Sequence, residues 1–262
     1  MKKDVLGVKL DMLTKKEVLL KITSFLDNNK GYKIYTPNPE MLVDAQKDKE
    51  FRDILNSSDL NTCDGKGIEF VTKGRIRRIP GVDLMLDICK LAAEREKSVY
   101  LLGSGSEDVV EKTKKELIKK FPKLKISGIH PGPKITMKQY NNITIQIDLN
   151  KEENQQIINN INLTKPDILF VAFGHPKQEK WINQYLKEMP SLKIAMGVGG
   201  SFDFISGKVK RAPKWIRTIG LEWLWRLILQ PWRIKRIWKA TGKFLFLNYK
   251  KLYETNQKNN IK

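Results

Sequence analysis

The chain has 262 residues, 40% hydrophobic and 30% charged, which excludes a disordered or fibrous protein and supplies enough apolar mass for a sizeable core. Its 49 lysines and arginines against 29 aspartates and glutamates leave a formal charge of +20, which calls for an anionic partner: nucleic acid, an anionic bilayer or a phosphorylated substrate. Cys63 and Cys89 lie far apart with no C-x-x-C spacing, so neither a disulfide framework nor a zinc site is expected, and a reducing compartment fits.

In chain order, Lys9 and Asp11 interrupt the apolar residues behind Lys2 and Lys3, so no signal peptide is read there. No stretch approaches the roughly 18 uninterrupted apolar residues of a membrane span, so any membrane contact is expected to be peripheral. Residues 15–26, 82–93, 109–120 and 178–186 carry apolar side chains at three- and four-residue spacing, as helices do. Between them, residues 33–36, 98–102, 167–173 and 193–198 are short apolar runs that read as buried strands. Alternation of this kind predicts an α/β fold: a Rossmann-like parallel sheet with helices on both faces. The Asn- and Gln-rich residues 140–156 are expected to form a surface excursion before a short helix.

Polar or glycine-rich junctions follow several strands, where open α/β sheets place their ligands. In Thr36-Pro37-Asn38-Pro39-Glu40, Asn38 suits an N-cap and Pro39 a first helical position, while the hydroxyl and amide of Thr36 and Asn38 are also suited to a cleft. Asp64, in Thr62-Cys63-Asp64-Gly65-Lys66-Gly67, is either a turn residue or a general base for a hydroxyl nucleophile. Gly103-Ser104-Gly105 offers a backbone approach to a diphosphate, or a turn in which Ser104 and Glu107 form a capping box. Gly174 to Trp181 opens a helix, with Lys177 and Gln178 as candidate nucleotide contacts. The glycines of Gly197-Val198-Gly199-Gly200 read as room for a ligand. No Asp-x-Asp pair exists, His130 reads as a loop residue far from His175, and no G-x-S-x-G elbow is present, so metal chemistry and a serine triad find no support.

Composition shifts near Gly207, which divides an expected catalytic domain, 1–207, from a helical appendage, 208–262. The appendage has 15 lysines and arginines against two glutamates, and holds five of the six tryptophans. Trp215, Ile219, Trp223 and Leu227 recur every fourth residue, so one helix with an apolar stripe is expected. Beyond Pro231, a second helix would carry Arg233, Arg236, Lys239 and Lys243 on one side. Tryptophans beside basic residues suit an anionic membrane surface. A nucleic-acid-binding protein is the rival reading, and the concentration of charge in the tail, away from the glycine-rich junctions, counts against it.

Taken together, Thr36 to Glu40, Asp64-Gly65-Lys66-Gly67-Ile68, Gly174 to Trp181 and the run from Gly197 to Trp215 resemble, in order and spacing, the WecG/TagA/CpsF family, glycosyltransferase family 26, and most of all its TagA-type N-acetylmannosaminyltransferases. The resemblance implies an inverting, metal-independent enzyme without a cofactor. It would move a sugar from a UDP donor to undecaprenyl-diphosphate-linked GlcNAc at the cytoplasmic face of the membrane. In the TagA branch the donor is UDP-N-acetylmannosamine and the product primes wall teichoic acid; other branches use UDP-ManNAc uronic acid or UDP-glucose for exopolysaccharides. By the same resemblance Asp64 is the base, Thr36 and Asn38 form the T-P-N motif, and Arg78 stands before the Gly81-Val82-Asp83-Leu84-Met85 stretch. Pro176 to Glu179, with Lys177, Gln178 and Glu179, is the P-K-Q-E motif. Gly103, Gly105, Gly199, Gly200 and Arg211, Arg226 and Arg233 are candidates for the diphosphate, the last three because the family's C-terminal region is thought to bind membrane and bring arginines over the nucleotide. The chain departs from its relatives at Cys63 and at His130-Pro131-Gly132-Pro133-Lys134. The oligomeric state is left open.

Overall fold

A computed structural model describes residues 1–139 and 145–260. An antiparallel hairpin, β1 (Lys2–Val5) and β2 (Val8–Asp11), leads into helix α1 (Lys15–Leu26), whose first turn is closed by a reciprocal capping box between Thr14 and Glu17. The centre is a six-stranded sheet built from β3 (Tyr32–Tyr35), β4 (Leu60–Asn61), β5 (Ser98–Gly103), β6 (Lys125–His130), β9 (Ile168–Ala172) and β10 (Ile194–Gly197). Its order is β4-β3-β10-β9-β5-β6, and every neighbouring pair is parallel. A second antiparallel hairpin, β7 (Thr136–Gln139) with β8 (Ile145–Asp148), stands apart from the sheet.

Successive side chains of a strand point to opposite faces, and here both faces are buried. In β9, Leu169 and Val171 join one core cluster, while Ile168, Phe170 and Ala172 join the other. The first cluster is closed by α2 (Pro39–Asp44), α3 (Lys49–Asn56), α7 (Lys151–Thr164) and α8 (Lys177–Tyr185). The second is closed by α1, α5 (Gly81–Glu94), α6 (Glu107–Lys120) and α9 (Ser201–Ile205); a short helix, α4 (Lys66–Val71), follows β4. Because all six strands run the same way, the segments that follow β3, β4, β5, β9 and β10 leave from one edge.

The C-terminal region is helical: α10 (Lys214–Ile219), α11 (Glu222–Leu229), a 3-10 turn (Pro231–Arg233), α12 (Ile234–Trp238), a π-helical turn (Lys239–Lys243) and α13 (Phe244–Asn260). It is anchored by Phe244, which is fully buried in the first core cluster beside Gly67 and Ile68. Among the described residues no helix is long and apolar enough to cross a membrane.

Four expectations need correction. The stripe Trp215 to Ile228 is two helices rather than one, because Gly220 adopts a left-handed conformation (φ 84°) that ends α10. Ser104 does not cap α6: Ser106 is the N-cap, and the Ser104 hydroxyl instead donates to the Ser106 carbonyl. His130 is the last residue of β6, its Nδ1 accepting from Gly132 N. Of residues 140–156, 140–144 lie outside the described residues; the rest holds β8 and the start of α7, which has 14 residues and is not short.

Candidate active site

The open edge of the sheet carries a cleft of about 740 Å³ whose walls come from five strand-end segments and the C-terminal helices. On its inner wall, β3 ends and Thr36, Asn38 and Glu40 follow; Asn38 caps α2, its Oδ1 accepting from Met41 N at 3.0 Å. That oxygen has one lone pair engaged, and the Asn38 amide nitrogen, with two N–H donors, is available to a ligand.

Asp64 lies where the chain leaves β4. An isolated parallel bridge between Cys63 and Arg78, with Ile79 N donating to Cys63 O at 2.7 Å, brings Arg78 beside it. Asp64 Oδ2 accepts from Gly81 N at 2.9 Å, and Oδ1 lies 3.7 Å from Arg78 Nε. A Cβ on Gly81 would sit 3.0 Å from Thr36 Oγ1 and 3.3 Å from Asp64 Oδ2, so the glycine admits both groups to one corner. Gly65 is required in turn, since a Cβ there would meet the Pro39 ring at 2.4 Å. Burial pushes the Asp64 carboxyl above the usual carboxylate range, opposed by the Arg78 guanidinium. A carboxylate raised in this way, on the wall of a cleft, has the character of a general base. Cys63, one residue before it, is pushed up to about 12 by burial and is no nucleophile.

Arg78 itself is held by the C-terminal helices: Nη2 donates to Glu222 Oε2 at 2.9 Å and Nη1 to Arg217 O at 3.1 Å. Arg211 joins the same network, pairing with Asp83 at 2.7 Å and Glu222 at 3.4 Å, but does not line the cleft. Arg226, Arg233 and Arg236 do line it. Arg236 makes a two-pronged pair with Glu40, at 3.0 and 2.9 Å. Among the described residues Arg226 and Arg233 have no carboxylate within ion-pair distance; each donates its Nε to Gln230, and Arg226 stacks 4.9 Å from the Phe204 ring centroid. Burial and the neighbouring guanidiniums lower both, Arg233 to about 10. Arg226 Nη2 lies 3.0 Å from where a Cβ on Gly200 would stand, and two partly buried cations, each lowered by burial and a neighbouring guanidinium, are an arrangement that an anion would relieve.

The glycine-rich junctions divide. Gly199 and Gly200 line the cleft, yet Gly199 N already donates to Gln178 Oε1 at 2.9 Å. Gln178 also accepts from Gly174 N at 3.2 Å and donates to Glu179 at 2.7 Å, so it braces two loops against one another. Gly197 makes room for that amide, a Cβ there falling 2.7 Å from Gln178 Nε2. Glu179 is fully buried behind it, and Lys177 donates to Ile135 O at 2.6 Å; neither lines the cleft. Gly103 and Gly105 do not line it either: Gly103 has no room for a Cβ beside Ala172, and the N–H groups of Ser104 and Gly105 are spent on Ala172 O and Pro131 O.

Glu40, Asp44 and His175 bring three potential metal-ligand atoms within 4.8 Å of one another. Both carboxylates are already engaged by cations of the chain, Glu40 by Arg236 and Asp44 by Lys239 at 2.9 Å. Glu40, Glu222 and Gly81 had no individual role in the sequence reading, and Arg236 was read as one of the basic residues facing a membrane rather than as part of the cleft. Glu40 and Arg236 are 196 positions apart, and no local pattern announces the pair.

The profile of the family described as "Glycosyl transferase WecG/TagA/CpsF family" matches residues 3–258. The chain belongs to this family. Among its relatives, an enzyme of Bacillus subtilis strain 168 named N-acetylglucosaminyldiphosphoundecaprenol N-acetyl-beta-D-mannosaminyltransferase is 34% identical over 81% of this chain and 77% of its own length. A Staphylococcus aureus enzyme of the same name is 31% identical over 94% of this chain and 91% of its own. This WecG/TagA/CpsF chain is therefore a glycosyltransferase, with the parallel α/β sheet and C-terminal helices read from its sequence.

Proposed function

We propose that the chain transfers N-acetylmannosamine from a UDP donor to GlcNAc-diphospho-undecaprenol, with inversion and without a metal ion. The product would be the lipid-linked disaccharide that primes wall teichoic acid. The observation that carries this reading is the meeting, in one cleft, of a carboxylate with raised proton affinity, Asp64, and two uncompensated arginines, Arg226 and Arg233. Asp64 takes the proton of the acceptor hydroxyl as its oxygen attacks the anomeric carbon. The bond from that carbon to the diphosphate oxygen breaks, and its electrons leave with UDP. Transfer of this kind passes through an oxocarbenium-like state, and attack opposite the leaving group inverts the centre. Arg226 and Arg233 meet the charge that develops on the diphosphate, and Thr36 and Asn38 orient the sugars. Among the alternatives, UDP-ManNAc uronic acid and UDP-glucose fit the same machinery.

We further infer that residues 208–262 dock the enzyme on an anionic membrane. Trp215, Trp232 and Trp238 are 66%, 73% and 68% exposed among lysines and arginines, a composition that suits the headgroup layer.

The test offers the three UDP-sugars to the purified chain with a synthetic lipid-diphosphate GlcNAc, with and without EDTA. Transfer from UDP-N-acetylmannosamine, unchanged by EDTA and giving the anomer opposite to the donor's, is expected. A rate that EDTA abolishes and Mg²⁺ restores would overturn metal independence, and a retained anomer would overturn the single displacement.

A further inference from the structure

The cleft is lined by two kinds of side chain: partly buried charged groups, Asp64, Arg78, Arg226 and Arg233, which define its inner end, and exposed apolar ones, Phe70, Ile219, Leu221, Trp223 and Leu245, which define its outer end. We propose that this outer end seats the first isoprene units of the acceptor's lipid, with Phe70 as their principal contact. The proposal rests on the polyprenyl-linked acceptor of the function proposed above.

The order of groups in such an acceptor is hydroxyl, sugar, diphosphate, hydrocarbon. With the hydroxyl at Asp64, the hydrocarbon must leave by one end of the cleft, and the inner end is occupied by the cations that suit the donor. Helix α4 begins two residues after Asp64 and leads outward: four residues of helix, or about 6 Å, separate Lys66 from Phe70. Lys66 lines the cleft at this midpoint, its stem passing under Gly220, where a Cβ would meet Lys66 Cγ. Its ammonium, paired with Glu69 at 2.6 Å, is placed where the acceptor's own diphosphate would fall. Beyond it Phe70 is 75% exposed, and Ile219, Trp223 and Leu245 across the cleft are at least 41% exposed. A single exposed aromatic is ordinary, but apolar side chains on both walls of one cleft, continuous with a reactive carboxylate, form a binding surface. Phe70 also lies outside the C-terminal helices, so its part can be separated from membrane docking.

The experiment uses the full chain in detergent, comparing an undecaprenyl acceptor with an ethyl-diphosphate GlcNAc. In Phe70→Ser the preference for the long acceptor, as the ratio of kcat/KM values, should fall about tenfold, with the donor KM unchanged, and Phe70→Leu should recover most of it. Sedimentation with phosphatidylglycerol vesicles should match wild type. A preference that does not change, or an equal loss on both acceptors, would overturn the groove; a loss of vesicle binding of the same size would make Phe70 a bilayer contact and overturn it as well. Wild-type chain inactive on both acceptors would instead reject the transferase reading itself.

Discussion

Trp181 and the tryptophans of the C-terminal helices put one side chain to opposite uses. Trp181 is fully buried in the core, edge-on to Phe173, with its indole N–H donating to Asn154 at 2.7 Å. Trp215, Trp232 and Trp238 stand in solvent on helices with no buried residue of their own. The first region packs its large apolar side chains on both faces of the sheet and at Trp181 leaves nothing to solvent. The second is held through Phe244, the Arg236–Glu40 pair and the Arg78–Glu222 pair, and leaves its large apolar surface for something else to cover. The first supplies Asp64 to the cleft, and the second supplies Arg226 and Arg233.

The largest expected effect falls on the core side. Asp64→Asn should lower turnover by roughly 10²-fold or more while leaving UDP affinity intact, the scale of a lost general base; turnover within a few-fold of wild type would make Asp64 a turn residue only. Next comes the solvent side. Replacing Trp215, Trp232 and Trp238 together by Ser should weaken binding to anionic vesicles by about tenfold or more, with the circular dichroism spectrum unchanged because none of the three is buried. Binding equal to wild type would remove these side chains from the docking account.

A subtler effect joins the two regions. Burial raises the Asp64 proton affinity and Arg78 opposes it, so Arg78→Gln should move the acid limb of the kcat/KM profile further up in pH. The sign follows because activity requires the deprotonated base: it is lost as pH falls through the raised value, and removing the cation raises that value again. An acid limb that stays in place or moves down would separate Arg78 from the base.

Legibility in the sequence followed the same division. Parallel strands put every strand-end segment on one edge, so alternation marked the junctions at Thr36, Asp64, Gly103, Gly174 and Gly199 as places for a ligand, while the choice of Asp64 and Thr36 over a turn and a cap came from the family resemblance. Strand β4 has only two residues and β6 is interrupted by Gly128, whose missing side chain is filled by the Tyr100 ring, so neither presents a readable apolar run. Which glycines touch a ligand and which make room for protein was not legible either: Gly103 and Gly197 are pressed by Ala172 and Gln178, contacts that only the folded chain reveals. In the tail, periodicity gave helical residues but not one stripe: it missed the break at Gly220, where the left-handed backbone outweighs the apolar pattern.

The central claim is that the C-terminal helices complete the cleft whose base comes from the core. It is tested most directly by titrating UDP into the full chain and into an Arg226→Gln, Arg233→Gln double variant in solution, away from any membrane. Two lost charge-assisted contacts predict a Kd about a hundredfold higher or more, with Asp64 and the fold intact. A Kd unchanged from wild type would contradict the claim and reduce the C-terminal helices to an anchor.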